Sequence, residues 1–183
     1  MRLPDHKAMP WVLILVLFVA GLVTGYANRP RLLPQYRQII QQEAGNFALD
    51  ARLIEAVVMT ESSGLAYALS HRGAVGLMQI MPATARQLAE ELKFSTLAEA
   101  NLLQPEINIR LGCYYFYALL RRFHGDLILT LAAYNTGPTR VSRWMAEYPL
   151  LAASDLISQQ ASKETRLFVR QVMQRYERGT YSR

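Results

Sequence analysis

The chain has 183 residues, of which 51% are hydrophobic, enough for one domain to bury a core without disulfide help. Its single cysteine, Cys113, excludes an internal disulfide and a cysteine metal cluster, and three scattered histidines, His6, His71 and His124, offer no zinc site, so no metal or cofactor is expected. A formal charge of +6 suits an anionic polymer such as a cell wall, but the basic residues form no stripe interleaved with aromatics, so nucleic acid is not an expected partner.

No charged residue falls between Pro10 and Ala27, and Val12 to Val23 is almost wholly aliphatic, with Arg2 and Lys7 before it and Arg29 and Arg31 behind. This run predicts a transmembrane or signal-anchor helix over residues 10–27, with Trp11 and Tyr26 as interfacial anchors. A cleaved signal ending in the small residues Gly25 and Ala27 is the alternative. As an anchor it leaves residues 1–9 in the cytoplasm and the rest of the chain outside it. Residues 28–34, with Pro30 and Pro34, read as a linker, and residues 35–178 as the folded domain.

Within that domain a helix is predicted from Gln35 to about Ala44, with Tyr36, Ile39 and Ile40 facing inward and Gly45-Asn46 ending it. The next, Ala51 to Ser62, has Asp50 as a side-chain N-cap. Leu53, Ile54, Val57 and Val58 precede Glu61 by eight, seven, four and three positions, so all five share one face, the face a helix buries. Apolar neighbours and the negative end of the helix dipole both disfavour ionised Glu61, which raises its pKa as a general acid requires. A buried acid satisfied by an Arg or Lys is the alternative. Glu55 stands about 120° round the helix from Glu61, facing solvent beside Arg52, so no second carboxylate is supplied locally.

A glycine-punctuated stretch through Gly73 and Gly76 leads to Pro82, which opens a helix to about Leu92. Further helices are predicted from Pro105 to Phe123, from Leu127 to Asn135 with Gly137 as cap, from Pro138 through Val141 and Trp144, and from the N-cap Ser162 through Val169, Val172, Met173 and Tyr176. No segment alternates convincingly, although a small hairpin near Leu65 to Ala74 is compatible with the pattern. The fold class is mainly α.

Five motifs occur in order: Glu61-Ser62-Ser63, Ser70 through Gly76-Leu77-Met78-Gln79-Ile80-Met81-Pro82 to Ala85, Asn108-Ile109-Arg110-Leu111-Gly112, Ala132-Ala133-Tyr134-Asn135-Thr136-Gly137-Pro138, and Glu164-Thr165-Arg166. Together they resemble the soluble-type (SLT) lytic transglycosylases, which cut the glycan of bacterial peptidoglycan on a goose-lysozyme-like helical fold. The resemblance covers roughly Leu49 to Tyr176. It implies cleavage of the β-1,4 bond between N-acetylmuramic acid and N-acetylglucosamine, with Glu61 first protonating the leaving oxygen and then, as carboxylate, taking the proton of the C6 hydroxyl. The product is a 1,6-anhydromuramoyl end, and the substrate's own N-acetyl group replaces a protein nucleophile.

The same resemblance implies substrate-binding roles for Ser70, Gln79, Met81, Tyr134, Asn135 and Glu164. Ser70 would contact the sugar next to the cut, Gln79 a substrate amide or hydroxyl, and Tyr134 the Glu61 carboxyl or the intermediate. Each has a plainer alternative: a turn closure at Ser70, a structural bond at Gln79, core filling at Met81, a helix end at Asn135, a favourable helix-start charge at Glu164. Residues 158–163 lack the family's proline-aromatic pair, Phe168 stands where Tyr is common, and Ser62 to Ala66 lacks an aromatic-Asn-Pro run. The implied partners are peptidoglycan glycan strands and, through residues 10–27, the cytoplasmic membrane, with the enzyme on its outer side. A lysozyme-type murein hydrolase and an inactive peptidoglycan-binding module are the other readings of the same motifs.

Overall fold

The computed structural model describes residues 32–93 and 102–181 of the chain, and the membrane segment expected at residues 10–27 lies outside them. Among the described residues no helix is long and apolar enough to cross a membrane. The described residues form eight α-helices: α1 (Pro34–Asn46), α2 (Ala51–Glu61), α3 (Pro82–Glu91), α4 (Pro105–Arg122), α5 (Leu127–Thr136), α6 (Pro138–Glu147), α7 (Ala153–Gln160) and α8 (Lys163–Tyr181).

Prolines at the first turns of α1, α3, α4 and α6 start those helices where an N–H would have no partner. Asp50 caps α2 by accepting from the Arg52 N–H at 2.9 Å, and Ser62 closes it with its own N–H on the Val58 carbonyl. Ser162 accepts from the Thr165 N–H at 3.1 Å, starting α8 as expected.

α5 is apolar all round, with Leu129 to Tyr134 all buried, and such a helix must be enclosed on every side. It packs against α4, α6, α7 and α8, while α2 lies along α8 and α1 lies along α4 and α2. Leu53, Ile54, Val57 and Val58 enter the core as their spacing predicts, beside Ile109, Phe116 and Leu131.

Between α2 and α3 the backbone makes two antiparallel bridges, Leu69 with Val75 and Val75 with Ile80. This hairpin reaches further along the chain than the Leu65–Ala74 stretch suggested. Asn108 of α4, 1% exposed, clamps it from below. Its Oδ1 accepts from the Met78 N–H at 2.7 Å, and its Nδ2 donates to the Val75 and Leu102 carbonyls at 2.9 Å. Two glycines admit this contact. A Cβ on Gly112 would overlap the Met78 side chain, and one on Gly76, whose φ is +80°, would overlap Asn108.

Three local expectations are corrected, and one helix is added. α1 runs through Gly45 to Asn46 with Phe47 as its C-cap, because the Asn46 amide bonds Glu43 at 3.1 Å and the Phe47 ring packs on Tyr114 and Tyr117 of α4. Glu55 does not face solvent beside Arg52: it pairs with Arg37 of α1 at 3.5 Å, and Arg52 turns to Asp50 at 2.6 Å. Leu32, inside the stretch read as linker, is buried in the core, so the compact unit begins there. α7 was not anticipated. It has no side-chain cap and buries only Leu156 and Ile157.

Candidate active site

α2 delivers Glu61 at its last turn, and left-handed backbone at Ser63 and Gly64 then reverses the chain into the hairpin. The hairpin turn is closed by Ser70, whose Oγ accepts from the Ala74 N–H at 2.9 Å and whose carbonyl accepts from the Gly73 N–H at 2.9 Å. Gln79 follows with φ +48°, and its Nε2 donates to the carbonyls of Gly76 at 2.8 Å and Ala68 at 3.2 Å. Met81 precedes α3 and is 40% exposed.

From the other side, the end of α5 brings Tyr134 and Asn135, and the first turn of α8 brings Glu164. Tyr134 donates its hydroxyl to the Met78 carbonyl at 2.8 Å, and its ring lies parallel to Phe168 at 6.4 Å. Asn135 Oδ1 accepts from the Thr165 hydroxyl at 2.9 Å. Glu164 pairs with Arg72 of the hairpin turn at 3.1 Å.

These side chains meet in one cavity of about 510 Å³, lined by Glu61, Ser70, His71, Arg72, Ala74, Gln79, Met81, Tyr134, Asn135 and Glu164. All seven residues singled out from the sequence are in that lining. His71, Arg72 and Ala74 were not singled out, although they belong to the same motif.

The hydrogen bonds already made constrain these roles. The Tyr134 hydroxyl is spent on the Met78 carbonyl, so it holds the hairpin against α5 and does not bond Glu61. Both hydrogens of the Gln79 amide go to backbone, which leaves its oxygen, an acceptor, for the cavity. Ser70 closes its turn as an acceptor and keeps a hydroxyl proton to donate, and Asn135 keeps its amide hydrogens. The lining therefore offers donors at Ser70 and Asn135 and an acceptor at Gln79, a set that fits hydroxyl and acetamido groups.

Burial pushes the Glu61 carboxyl up to about 8, with the negative charge of Glu164 as the second cause. Among the described residues no cation pairs with it. The second carboxylate that α2 does not supply comes from α8, 103 positions on in the chain. Burial, then the Glu61 charge, raises the Tyr134 phenol well above its ordinary value, so it serves as a fixed donor. The arrangement holds a transferable proton at neutral pH in a cavity whose lining includes several polar side chains. Among the described residues no three His, Cys, Asp or Glu side chains gather to hold a metal.

A family model described as Transglycosylase SLT domain matches residues 38–157. The soluble lytic murein transglycosylase of Escherichia coli K12 is 33% identical over 120 residues, 64% of this chain and 19% of that protein. The membrane-bound lytic murein transglycosylase C of Histophilus somni is 33% identical over 140 residues, 71% of this chain and 37% of that protein. The X-ray structure of lytic transglycosylase Slt from Pseudomonas aeruginosa superimposes with a TM-score of 0.71 at 34% identity, over 76% of this chain and 23% of that one. The chain thus spans well under half the length of each of these relatives.

Proposed function

The chain belongs to the transglycosylase SLT domain family, and on that premise we propose that it is a lytic murein transglycosylase with Glu61 as its acid and base. It cleaves the β-1,4 bond between N-acetylmuramic acid and N-acetylglucosamine and leaves a 1,6-anhydromuramoyl end. The observation that carries the reading is a carboxyl group held up to about 8 in the lining of a cavity with polar side chains, without a cationic partner among the described residues.

Neutral Glu61 gives its proton to the leaving glycosidic oxygen and becomes a carboxylate in a site that disfavours one. The C6 hydroxyl of the same muramoyl sugar then returns a proton to it as O6 closes on C1, and no water enters. Ser70 and Asn135 donate to sugar hydroxyl or acetamido oxygens, Gln79 accepts from an N–H or O–H, and Met81 lines the groove.

A hydrolase of lysozyme type is the second reading, favoured by one observation: Glu164 lines the same cavity and its charge acts on Glu61, which supplies the second carboxylate such a mechanism uses. The two readings differ in product. Mass spectrometry of fragments released from purified peptidoglycan should find ends lighter by one water than reducing-end muropeptides, absent when Glu61→Gln replaces the enzyme. Reducing ends would overturn the transglycosylase and leave the acid, and equal release by Glu61→Gln would overturn the acid.

For location, the uncharged run from Pro10 to Ala27 supports an uncleaved anchor with the catalytic domain outside the cytoplasm. Recovery of the full-length chain in membranes after an alkaline wash is the expected result, and a soluble protein beginning after Ala27 would replace the anchor with a cleaved signal.

A further inference from the structure

Two parts of the lining around Glu61 come from distant stretches of the chain: the hairpin turn brings His71 and Arg72, and the first turn of α8 brings Glu164. Arg72 joins them, its Nη2 donating to Glu164 Oε2 at 3.1 Å. Among the described residues no other hydrogen bond or ion pair reaches that carboxylate. The two side chains are 78% and 60% exposed, so solvent reaches the carboxylate and its partner.

Once the glycosidic bond has broken, two nucleophiles compete for C1 of the muramoyl sugar. In the anhydro route O6 of the same sugar bonds C1, the O6 proton passes to Glu61, and no water is consumed. In the hydrolytic route a water oxygen bonds C1, one of its protons passes to a carboxylate, and a reducing end results. The first route is intramolecular and needs only Glu61, which has just given its proton away. The second is served by a further base within hydrogen-bond reach of a water, and Glu164 is the other carboxylate of the lining. A charge-assisted bond from a guanidinium engages one of its oxygens and fixes the direction of the other. Without that bond an exposed glutamate at the start of a helix is free to turn towards a water.

We propose that Arg72 is a positioning residue: by holding Glu164 it keeps that carboxylate from acting as base to water, and so commits the reaction to the anhydro product. The inference rests on the proposed function, because it concerns which nucleophile ends that reaction. Arg72 acts through Glu164 and takes no part in the proton transfers at Glu61.

The test uses the full chain on purified peptidoglycan, with reducing and anhydro ends counted by mass spectrometry. Exposed ion pairs contribute little to stability, so Arg72 variants should keep the fold, which thermal melts verify. Arg72→Ala should raise the ratio of reducing to anhydro ends about tenfold over the wild type. Arg72→Lys, which keeps the charge, should restore most of the original ratio, and Arg72→Ala combined with Glu164→Gln should return to it because the base is gone. A ratio that Arg72→Ala leaves unchanged, reducing ends that persist in the double variant, or loss of all release by a folded Arg72→Ala would each overturn the proposal. The wild type judges the proposed function, and the variants judge Arg72. Reducing ends from the wild type would remove the transglycosylase itself, whereas anhydro ends from the wild type and Arg72→Ala alike would remove only the role of Arg72.

Discussion

Glu61 and Glu164 illustrate how two identical functional groups acquire different behaviour from their surroundings. Glu61 is desolvated, while Glu164 is exposed and tied to Arg72. Under the mechanism proposed here the reaction takes its proton from Glu61, so kcat/KM should fall as pH rises through about 8. Glu164→Gln removes the neighbouring negative charge that helps to raise Glu61, so the alkaline limb should move to lower pH. A pH–rate profile of both proteins checks this, and an alkaline limb that stays where it was would show that burial alone sets the acid.

At the scale of elements, the start of α2 is fastened to α8 through one side chain. Asp50 caps the helix, pairs with Arg52 at 2.6 Å and accepts from the Tyr176 hydroxyl at 2.9 Å. These bonds, the one to the Arg52 side chain first, hold its carboxyl down to about 2 from 3.8. A depressed acid stabilises the fold above its unfolded value and loses that contribution as pH falls through the folded one. Asp50→Ala should therefore cost about 1–2 kcal/mol at neutral pH. Its deficit in urea midpoint should be constant above about pH 4 and shrink between pH 4 and 2. A deficit that persists undiminished at pH 2 would mean that the cap acts through packing and not through charge.

For the whole molecule, the site is an assembly of distant segments brought to one place by the core. The hairpin with Ser70 and Gln79 is held by Asn108 from α4 and by Tyr134 from α5, both through Met78. Asn108→Ala would strand the Met78 N–H and take one acceptor bond each from the Leu102 and Val75 carbonyls, the latter keeping the Ile80 N–H, and should cost about 3 kcal/mol. Activity should fall at temperatures where the variant is still folded, because the loop carrying Gln79 loses its support. Thermal melts and initial rates on peptidoglycan measure the two effects. A variant as stable and as active as the wild type would show that the clamp holds nothing the site needs.

Much of this was legible in the chain itself. Prolines 34, 82, 105 and 138 and the caps Asp50 and Ser162 act within one turn of their own position, so the helix starts they set were readable in order. The burial of Leu53, Ile54, Val57 and Val58 beneath Glu61 follows from a period of 3.6 residues, which is equally local. α7 escaped because two buried residues and no side-chain cap leave too weak a pattern. What only the tertiary structure decided is pairing: Tyr134 with Met78, Thr165 with Asn135, Arg72 with Glu164, partners separated by 30 to 92 positions. A side chain's spacing fixes which face of its helix it occupies, but the group it meets there depends on how the helices pack, and that is settled by the core as a whole.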